Sequence, residues 1–296
     1  MNNIKTVFSI KDLENLSGIK AHTIRIWEKR YNVLEPMRTE TNIRVYDPAN
    51  LQKLLNISLL HNHGYKISKI SKLPPDRIPQ LVREITSNKN ATNHALNAFK
   101  MATVNFDRDH FLQTYHALLH DKTFAEVFYE VFIPLLDELG ILWQTDTITP
   151  AQEHFISYLI KQKIILHTEK VASRPAPDDR VFVLFLPLNE IHELGLMYIN
   201  YELLVRGYHT VFLGESVPTD NLRDLHRHFD QIVFISYLTV QPHEPDVAEY
   251  LRQVAHILEP DSQLWVLGRQ TRHLDRNGLD GRVSIFENIR DLVMTL

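Results

Sequence analysis

Apolar and polar positions divide the chain into three stretches of different periodicity. Over the first 75 residues, apolar positions recur at helical spacing in short runs that end at glycine or polar turns. Longer helical runs follow over 77–173, and over 180–296 apolar runs of strand length alternate with helical ones. The pattern therefore predicts three domains, 1–75, 77–173 and 180–296.

The first domain is expected to open with a helix, a turn and a second helix. Ser9 and Asp12 have the spacing of a capping box, and Gly18 follows the apolar positions of the first helix. In the second helix Ile24 and Trp27 share one stripe. The basic residues of that helix face elsewhere: Arg25, Lys29 and Arg30. This order is typical of a helix-turn-helix.

The second domain is predicted to be a four-helix bundle. One helix carries seven apolar positions at helical spacing, Phe124, Val127, Phe128, Val131, Leu135, Leu136 and Leu139. Gly140 is expected to end that helix. Thr149, Pro150 and Gln152 have the types and spacing of a helix start. Two further helices, near 77–100 and 107–120, complete the bundle, and a linker follows at 173–180.

The third domain is predicted to be a doubly wound α/β fold with a parallel sheet, which is Rossmann-like. The continuous apolar run at 181–186 suits a strand buried on both faces, and further strands are predicted at 209–214, 231–236 and 263–268. Helical patterns separate these runs. Ligands of such sheets bind beyond the carboxyl ends of the strands, so residues that directly follow the strands are candidates for a site.

Composition narrows the chemistry. The chain contains no cysteine, which excludes disulfides, thiolate metal sites and thiol catalysis. The net charge of −4 is uneven, because residues 1–74 carry net +6 and the remainder −10. A basic N-terminal domain suits a phosphate backbone, although a solvated charged surface would look the same by charge alone. The polar N-terminus and the lack of a long apolar run predict a cytoplasmic protein that contacts no membrane.

The N-terminal pattern continues with a polar hairpin and a third helix that begins near Pro48. The stretches "TIRIWEKRY" and "NIRVYD" closely resemble the recognition helix and the wing of MerR-type transcription regulators. The resemblance covers about residues 5–74 and implies binding to double-stranded operator DNA. It assigns the DNA contacts to Thr23, Arg25 and Arg30 of the helix and to Arg38, Arg44 and Tyr46 of the wing. The alternative is a basic helical domain that binds no nucleic acid.

His192 follows the first strand of the third domain, and a lone histidine in such a loop is more often structural than functional. Its neighbours change this reading. "EIHELG" matches the (D/E)-x-H-x-x-G element of cobalamin-binding domains, "SYL" matches their S-x-L element with Ser236 and Leu238, and Gly268 stands where a glycine pair normally follows. The resemblance implies that His192 is the lower axial ligand of cobalt. A neutral imidazole is a suitable donor for such a metal.

The same resemblance gives roles to the other motif residues. Glu190 would accept the second ring N–H of the histidine and fix its orientation. Gly195 would allow close approach of the cofactor, and Ser236 would hydrogen-bond the base of the displaced nucleotide tail. The expected second glycine is replaced by Arg269, which would either narrow the tail pocket or contact a phosphate of the tail.

The bundle carries a further pattern. Trp143 precedes Glu153 by ten residues, and His154 follows directly. Taken singly, the tryptophan suits a core and the glutamate suits a helix start. Together they resemble the adenosylcobalamin-dependent photoreceptor repressors that control carotenoid genes in bacteria, of the CarH/LitR-like type. The resemblance implies that all three residues line the upper face of the cofactor. A histidine often follows the tryptophan in those proteins, whereas this chain has Gln144.

The combined reading is a transcription regulator, a repressor rather than an enzyme. It would bind adenosylcobalamin as a light- or ligand-responsive switch of oligomerisation, between dimer and tetramer, and of operator binding. Two alternatives stay open. One is a corrinoid protein component of a methyltransferase, which would leave the basic domain without a role. The other is a MerR-type regulator whose C-terminal domain no longer binds cobalamin.

Overall fold

The computed structural model describes residues 7–86 and 91–296. The chain divides into two compact units, Met1–Leu159 and Ile160–Leu296, with the boundary inside one long helix. Each unit has a core of its own.

The N-terminal part of the first unit has the predicted helix-turn-helix and wing. Its helices are α1 (Ile10–Ser17), α2 (Ala21–Tyr31), α3 (Pro48–Asn62) and α4 (Ile67–Ile70). Three short strands form an antiparallel sheet of order β1-β3-β2: β1 (Phe8–Ser9), β2 (Met37–Arg38) and β3 (Arg44–Tyr46). The predicted capping box is present, since Ser9 accepts from the amide of Asp12 and the Asp12 carboxylate accepts from the amide of Ser9. Gly18 ends α1 in the left-handed conformation that glycine favours.

The rest of the first unit is helical. Its helices are α5 (Arg77–Thr86), α6 (Ala91–Asn105), α7 (Arg108–Asp121), α8 (Phe124–Val127), α9 (Ile133–Gln144) and α10 (Pro150–Glu169), with a π-helical turn at Phe128–Phe132 between α8 and α9. The predicted start of α10 is confirmed, because Thr149 and Gln152 exchange backbone-to-side-chain hydrogen bonds. Gln152 also donates to the carbonyl of Val104 at 2.9 Å, which joins α10 to α6.

The helix expected near 77–100 falls on α5, on α6 and on residues 87–90, which lie outside the described part of the chain, and α5 packs against α3. One helix boundary differs from the prediction. The prediction that Gly140 ends a helix is wrong, since α9 continues to Gln144. Gly140 is not in the left-handed conformation, and Leu142 beyond it is buried, so packing of the next turn sustains the helix.

The second unit contains a five-stranded parallel sheet of order β5-β4-β6-β7-β8. The strands are β4 (Val181–Phe185), β5 (His209–Gly214), β6 (Ile232–Tyr237), β7 (Gln263–Leu267) and β8 (Val283–Ile285). The helices are α11 (Leu194–Val205), α12 (Val247–Ile257) and α13 (Ile289–Val293), with a 3₁₀ segment at Thr219–Arg227. The doubly wound α/β prediction is confirmed, and the strand order reverses between β4 and β6, where such folds bind ligands.

The two faces of the sheet bury different sets of side chains. Alternate residues such as Val183, Phe185 and Phe234 form a core with α12 and the 3₁₀ segment. The intervening residues, such as Ile235, face the side covered by α11 and α13. Side chains that are neighbours in sequence near the carboxyl end of β6 therefore lie on opposite faces.

Candidate functional site

The second helix of the helix-turn-helix presents its basic residues outward. Ile24 and Trp27 are buried against the neighbouring helices, as the sequence pattern predicts. Arg25 and Arg30 are exposed, and Thr23 is half-exposed on the same helix. Within the described ranges neither arginine forms an ion pair, and the Arg30 guanidinium lies over the ring of Tyr31 at 5.5 Å from its centre. This helix is suited to a phosphate-lined groove.

The wing is held to that helix by one carboxylate. Glu28 of α2 accepts a hydrogen bond from Arg44 Nε at 2.8 Å and from the Tyr46 hydroxyl at 2.9 Å. Burial, followed by the hydrogen bond to Glu28, raises the pKa of Tyr46. Arg38 at the start of the wing is exposed and bonds to Asn42 within the hairpin.

The predicted DNA contact of Tyr46 does not agree with this geometry. Tyr46 is fully buried, so its side chain holds the wing in place and does not reach a ligand. Arg44 is half-exposed and already paired with Glu28. Glu28 itself was missed by the sequence reasoning, because a glutamate on a basic helix gives no signal of its partner before the wing is folded.

In the second unit, the loop that follows β4 is organised by Glu190. Its side chain is fully buried, and Oε1 accepts from the amides of Ile191 and His192 at 2.9 and 3.0 Å. Oε2 accepts from three consecutive amides after β6, those of Thr239, Val240 and Gln241, at 3.2, 2.6 and 2.8 Å. One carboxylate therefore ties together the two loops at the reversal point of the sheet.

The charge of this carboxylate is strongly stabilised. Burial acts to raise the pKa of Glu190, but the hydrogen bonds from His192 and from the amides of Gln241 and Val240 outweigh burial and lower it to about 2. Glu190 is thus an anion at neutral pH, and it accepts from His192 Nδ1 at 2.5 Å. This contact fixes the imidazole orientation and leaves Nε2 as the ring atom that would ligate a metal.

The surroundings of His192 suit a large, flat, apolar ligand. The imidazole is about half-exposed, with 49% of the side-chain area accessible. Three apolar side chains near it in the same loops are exposed to unusual degrees: Leu188 at 56%, Ile191 at 58% and Val240 at 41%. Exposed apolar clusters of this kind commonly mark binding surfaces.

His192 does not belong to a multidentate protein site. The part of the chain that the structure describes holds no group of three or more His, Asp or Glu side chains able to bind a metal ion. A metal at His192 would therefore need most of its ligands from a cofactor. A corrin ring supplies four nitrogens to cobalt and leaves the axial positions to other donors, so the single oriented imidazole fits this cofactor.

The remaining motif residues do not converge on one pocket. Ser236 faces α12, where its hydroxyl lies buried beside that of Tyr250, and neither has a hydrogen-bond partner of good geometry in the described chain. Burial raises the pKa of Tyr250. Gly195 lies on the opposite face, in the first turn of α11, against the ring of Tyr237. The structure thus separates Ser236 from Gly195 by the thickness of the sheet.

Gly268 and Leu238 contact each other closely at the ends of β7 and β6. Gly268 has φ of 122°, and a Cβ there would lie 2.3 Å from the carbonyl oxygen of Leu238. Only glycine fits this position, which explains its presence without a ligand. Arg269 next to it is exposed.

The three bundle residues belong to the first unit. Trp143 near the end of α9 is 51% exposed, which is unusual for a tryptophan and does not suit a core role. Glu153 in the first turn of α10 lies 3.1 Å from Nδ1 of His154 and accepts from Ser157 at 2.6 Å. The side chain of Gln144 lies outside the described part of the chain. The upper-face roles of these residues remain predictions.

Tyr237 was not singled out by sequence reasoning, although a signal existed. It occupies the variable position of the S-x-L element, and strict alternation along a strand places that position on the α11 face, opposite Ser236. A bulky aromatic residue there directly affects the space beside Gly195.

No helix among the described residues is long and apolar enough to cross a membrane.

Comparison with known proteins agrees with this architecture. The MerR HTH family regulatory protein model matches residues 8–75, and a B12 binding domain model matches residues 95–166, which lie in the helical part. The fold resembles the structure of the Methanosarcina barkeri monomethylamine corrinoid protein with a TM-score of 0.57. That match covers 69% of this chain and 97% of the corrinoid protein at 13% identity, so it shows the fold alone.

A MerR-type helix-turn-helix combined with a B12-binding region and a Rossmann-like sheet defines a DNA-binding transcription regulator. The chain is 30% identical over 223 residues to the HTH-type transcriptional repressor CarH of Myxococcus xanthus, which covers 73% of each protein. It is 26% identical over 220 residues to the repressor CarA of the same organism, covering 72% of this chain and 70% of CarA. The chain belongs to the CarH family of MerR-type transcriptional repressors with a B12-binding domain.

Proposed function

We propose that this regulator binds adenosylcobalamin with His192 as the lower axial ligand of cobalt. The observation that carries the proposal is the buried Glu190 anion, which orients the imidazole through Nδ1. A carboxylate that both fixes a histidine tautomer and anchors two loops is typical of a prearranged metal ligand. The exposed apolar side chains around the ring add a surface for the macrocycle.

The cofactor acts as a switch and not as a catalyst in this proposal. Its adenosyl–cobalt bond supplies a light-sensitive upper ligand when the cofactor is bound. Trp143, Glu153 and His154 would hold the adenosyl group, and its removal would favour smaller species over the tetramer. A ligand changes DNA affinity only by as much as it prefers one assembly state over another.

DNA binding is assigned to Arg25, Arg30 and Thr23 of α2, with Arg38 and Arg44 of the wing at the flanking phosphates. A symmetric dimer would place two such helices on paired half-sites of an operator. The exposed guanidinium groups of α2 support this assignment.

An absorption titration tests the cofactor assignment. Purified protein is mixed with adenosylcobalamin in darkness, and His192→Ala is compared with His120→Ala, which replaces an exposed histidine of α7. The parent and His120→Ala should give the spectrum of a histidine-ligated cobalamin. His192→Ala should give a base-off or water-ligated spectrum. Identical spectra for all three proteins would remove His192 as the ligand.

Illumination tests the switch. Green light before size-exclusion chromatography should move the cofactor-loaded protein to a later elution volume, and cofactor-free protein should not respond. An unchanged elution volume would leave a ligand sensor without a photoresponse. Binding of the same samples to operator DNA then shows which form is active on DNA.

A further inference from the structure

The space between β6 and the first turn of α11 is filled by one aromatic ring. A Cβ atom built at Gly195 would lie 2.6 Å from Cε2 of Tyr237 and 3.0 Å from Cδ2 and Cζ. Such distances are far below van der Waals contact, so the ring lies directly on the glycine backbone. Gly195 comes three residues after His192, so the ring lies against the first turn of the helix that follows the loop of the candidate cobalt ligand.

A bound cobalamin needs space for the base of its nucleotide tail. In the free cofactor at neutral pH the base of the nucleotide tail occupies the lower axial position of cobalt. A protein histidine that takes this position displaces the base, which must then be accommodated on the lower side of the corrin. A flat bicyclic base needs a slot about one ring thick, roughly 3.5 Å between van der Waals surfaces.

We propose that Tyr237 determines which corrinoid this domain accepts, by occupying the slot on the α11 face that the displaced base would need. The inference rests on the proposed function. Cobalamin loads only when the Tyr237 ring swings away from Gly195, whereas a corrinoid without the nucleotide tail loads with the ring in place. Tyr237 is half-buried at the strand end, so an outward rotation does not require disruption of the sheet.

The opposite face of the sheet offers a competing location for the base. A groove of about 840 Å³ opens there, lined in part by Asn189, Gln241 and Tyr250. If the displaced base enters this groove, the identity of residue 237 has no influence on loading. The two locations therefore make opposite predictions for the same substitution.

The test compares two corrinoids in darkness, adenosylcobalamin and adenosylcobinamide, which lacks the nucleotide. The measured quantity is the ratio of their dissociation constants, cobalamin over cobinamide, from absorption titrations of the full chain. Tyr237→Ala should lower this ratio at least tenfold. Tyr237→Phe retains the ring and should keep the parent ratio. Tyr201→Ala removes another half-buried tyrosine of the same unit and should also keep it.

The possible outcomes separate the two proposals. A ratio that falls at least tenfold in Tyr237→Ala and is unchanged in Tyr237→Phe and Tyr201→Ala supports the role of Tyr237. An equal ratio in all four proteins, with ligation still lost in His192→Ala, overturns the role of Tyr237 and leaves the cofactor assignment intact. Failure of both corrinoids to bind any variant, including Tyr237→Ala, overturns both the cofactor assignment and the role of Tyr237. Circular dichroism of each variant establishes that the folds compared are the same.

Discussion

Replacing Glu190 with alanine should release the loop that follows β6. Oε2 of this buried carboxylate accepts three consecutive amides, those of Thr239, Val240 and Gln241. A hydrogen bond to a charged group contributes about 1.5–3 kcal/mol, and contributions that share one acceptor do not add fully. The three hydrogen bonds to Oε2 together therefore contribute about 4 kcal/mol to the stability of the loop. Their loss should raise the equilibrium constant for local opening of the loop roughly a thousandfold.

Amide hydrogen exchange followed by mass spectrometry measures this directly. Exchange of residues 239–241 should accelerate by about three orders of magnitude in Glu190→Ala when closing is faster than exchange. The matched control is Glu249→Ala, which removes an acidic side chain from an exposed pair with Arg252. An exposed pair contributes about 1 kcal/mol or less, so the same amides should exchange nearly as in the parent.

The reasoning is refuted if residues 239–241 exchange at the same rate in Glu190→Ala and in the parent protein. That result would mean that the loop is held by its own packing. The Glu190 carboxylate would then hold the loops, and with them the His192 imidazole, less firmly than its hydrogen bonds indicate. The proposal that His192 is a prearranged metal ligand would lose its structural basis.

Four further outcomes are expected. Arg25→Ala should weaken operator binding at least tenfold in a mobility-shift titration while cofactor uptake is unchanged, and equal DNA affinity would contradict the assignment of α2. Tyr46→Phe leaves an oxygen of Glu28 without its buried donor and should lower the free energy of unfolding by about 1–2 kcal/mol in urea denaturation; no loss would show that the wing is held otherwise. The hydrogen bonds from Arg282 lower the pKa of Asp280 from 3.8 to about 2, so its stabilising contribution is complete above pH 4 and is lost as the pH falls toward 2. The urea midpoint of Asp280→Asn should accordingly lie below that of the parent at pH 6, with a difference that shrinks toward pH 2 and not with rising pH. Finally, binding of adenosylcobalamin should change the affinity for operator DNA, by about 5–150-fold in typical systems. Saturating operator DNA should then change the affinity for adenosylcobalamin by the same factor, and a factor of one would exclude a switch.

Much of the fold follows from local signals in the sequence. The capping boxes at Ser9 and Thr149 satisfy amides within one turn, so they depend on no distant contact. The inner strands β4, β6 and β7 are buried and are therefore visible as apolar runs, whereas the edge strands β5 and β8 are partly exposed, and β8 was not predicted. The end of α9 was mispredicted because Gly140 permits a helix end without requiring one. The burial of Leu142 stabilises one further turn of the helix.

The candidate site was predictable only in part. The pairing of Glu190 with His192 follows from their spacing in one loop, and the structure has it at 2.5 Å. The three amides after β6 that complete the carboxylate shell come from about 50 residues away, and backbone donors carry no sequence signature. The burial of Tyr46 depends likewise on Glu28, a partner 18 residues earlier that only the folded wing brings near.

Strand alternation decides how the S-x-L element can work in this chain. Ser236 and Tyr237 are consecutive in β6, so one sheet face receives a small hydroxyl and the other a large ring. A tail base placed beside Gly195 meets the ring of Tyr237, whereas a base that bonds to Ser236 lies on the face of α12, where the buried hydroxyl of Tyr250 is its neighbour. One base cannot satisfy both motif residues while the ring stays where it is. The identity of residue 237 therefore sets the corrinoid preference more directly than Arg269, which is exposed at the sheet edge.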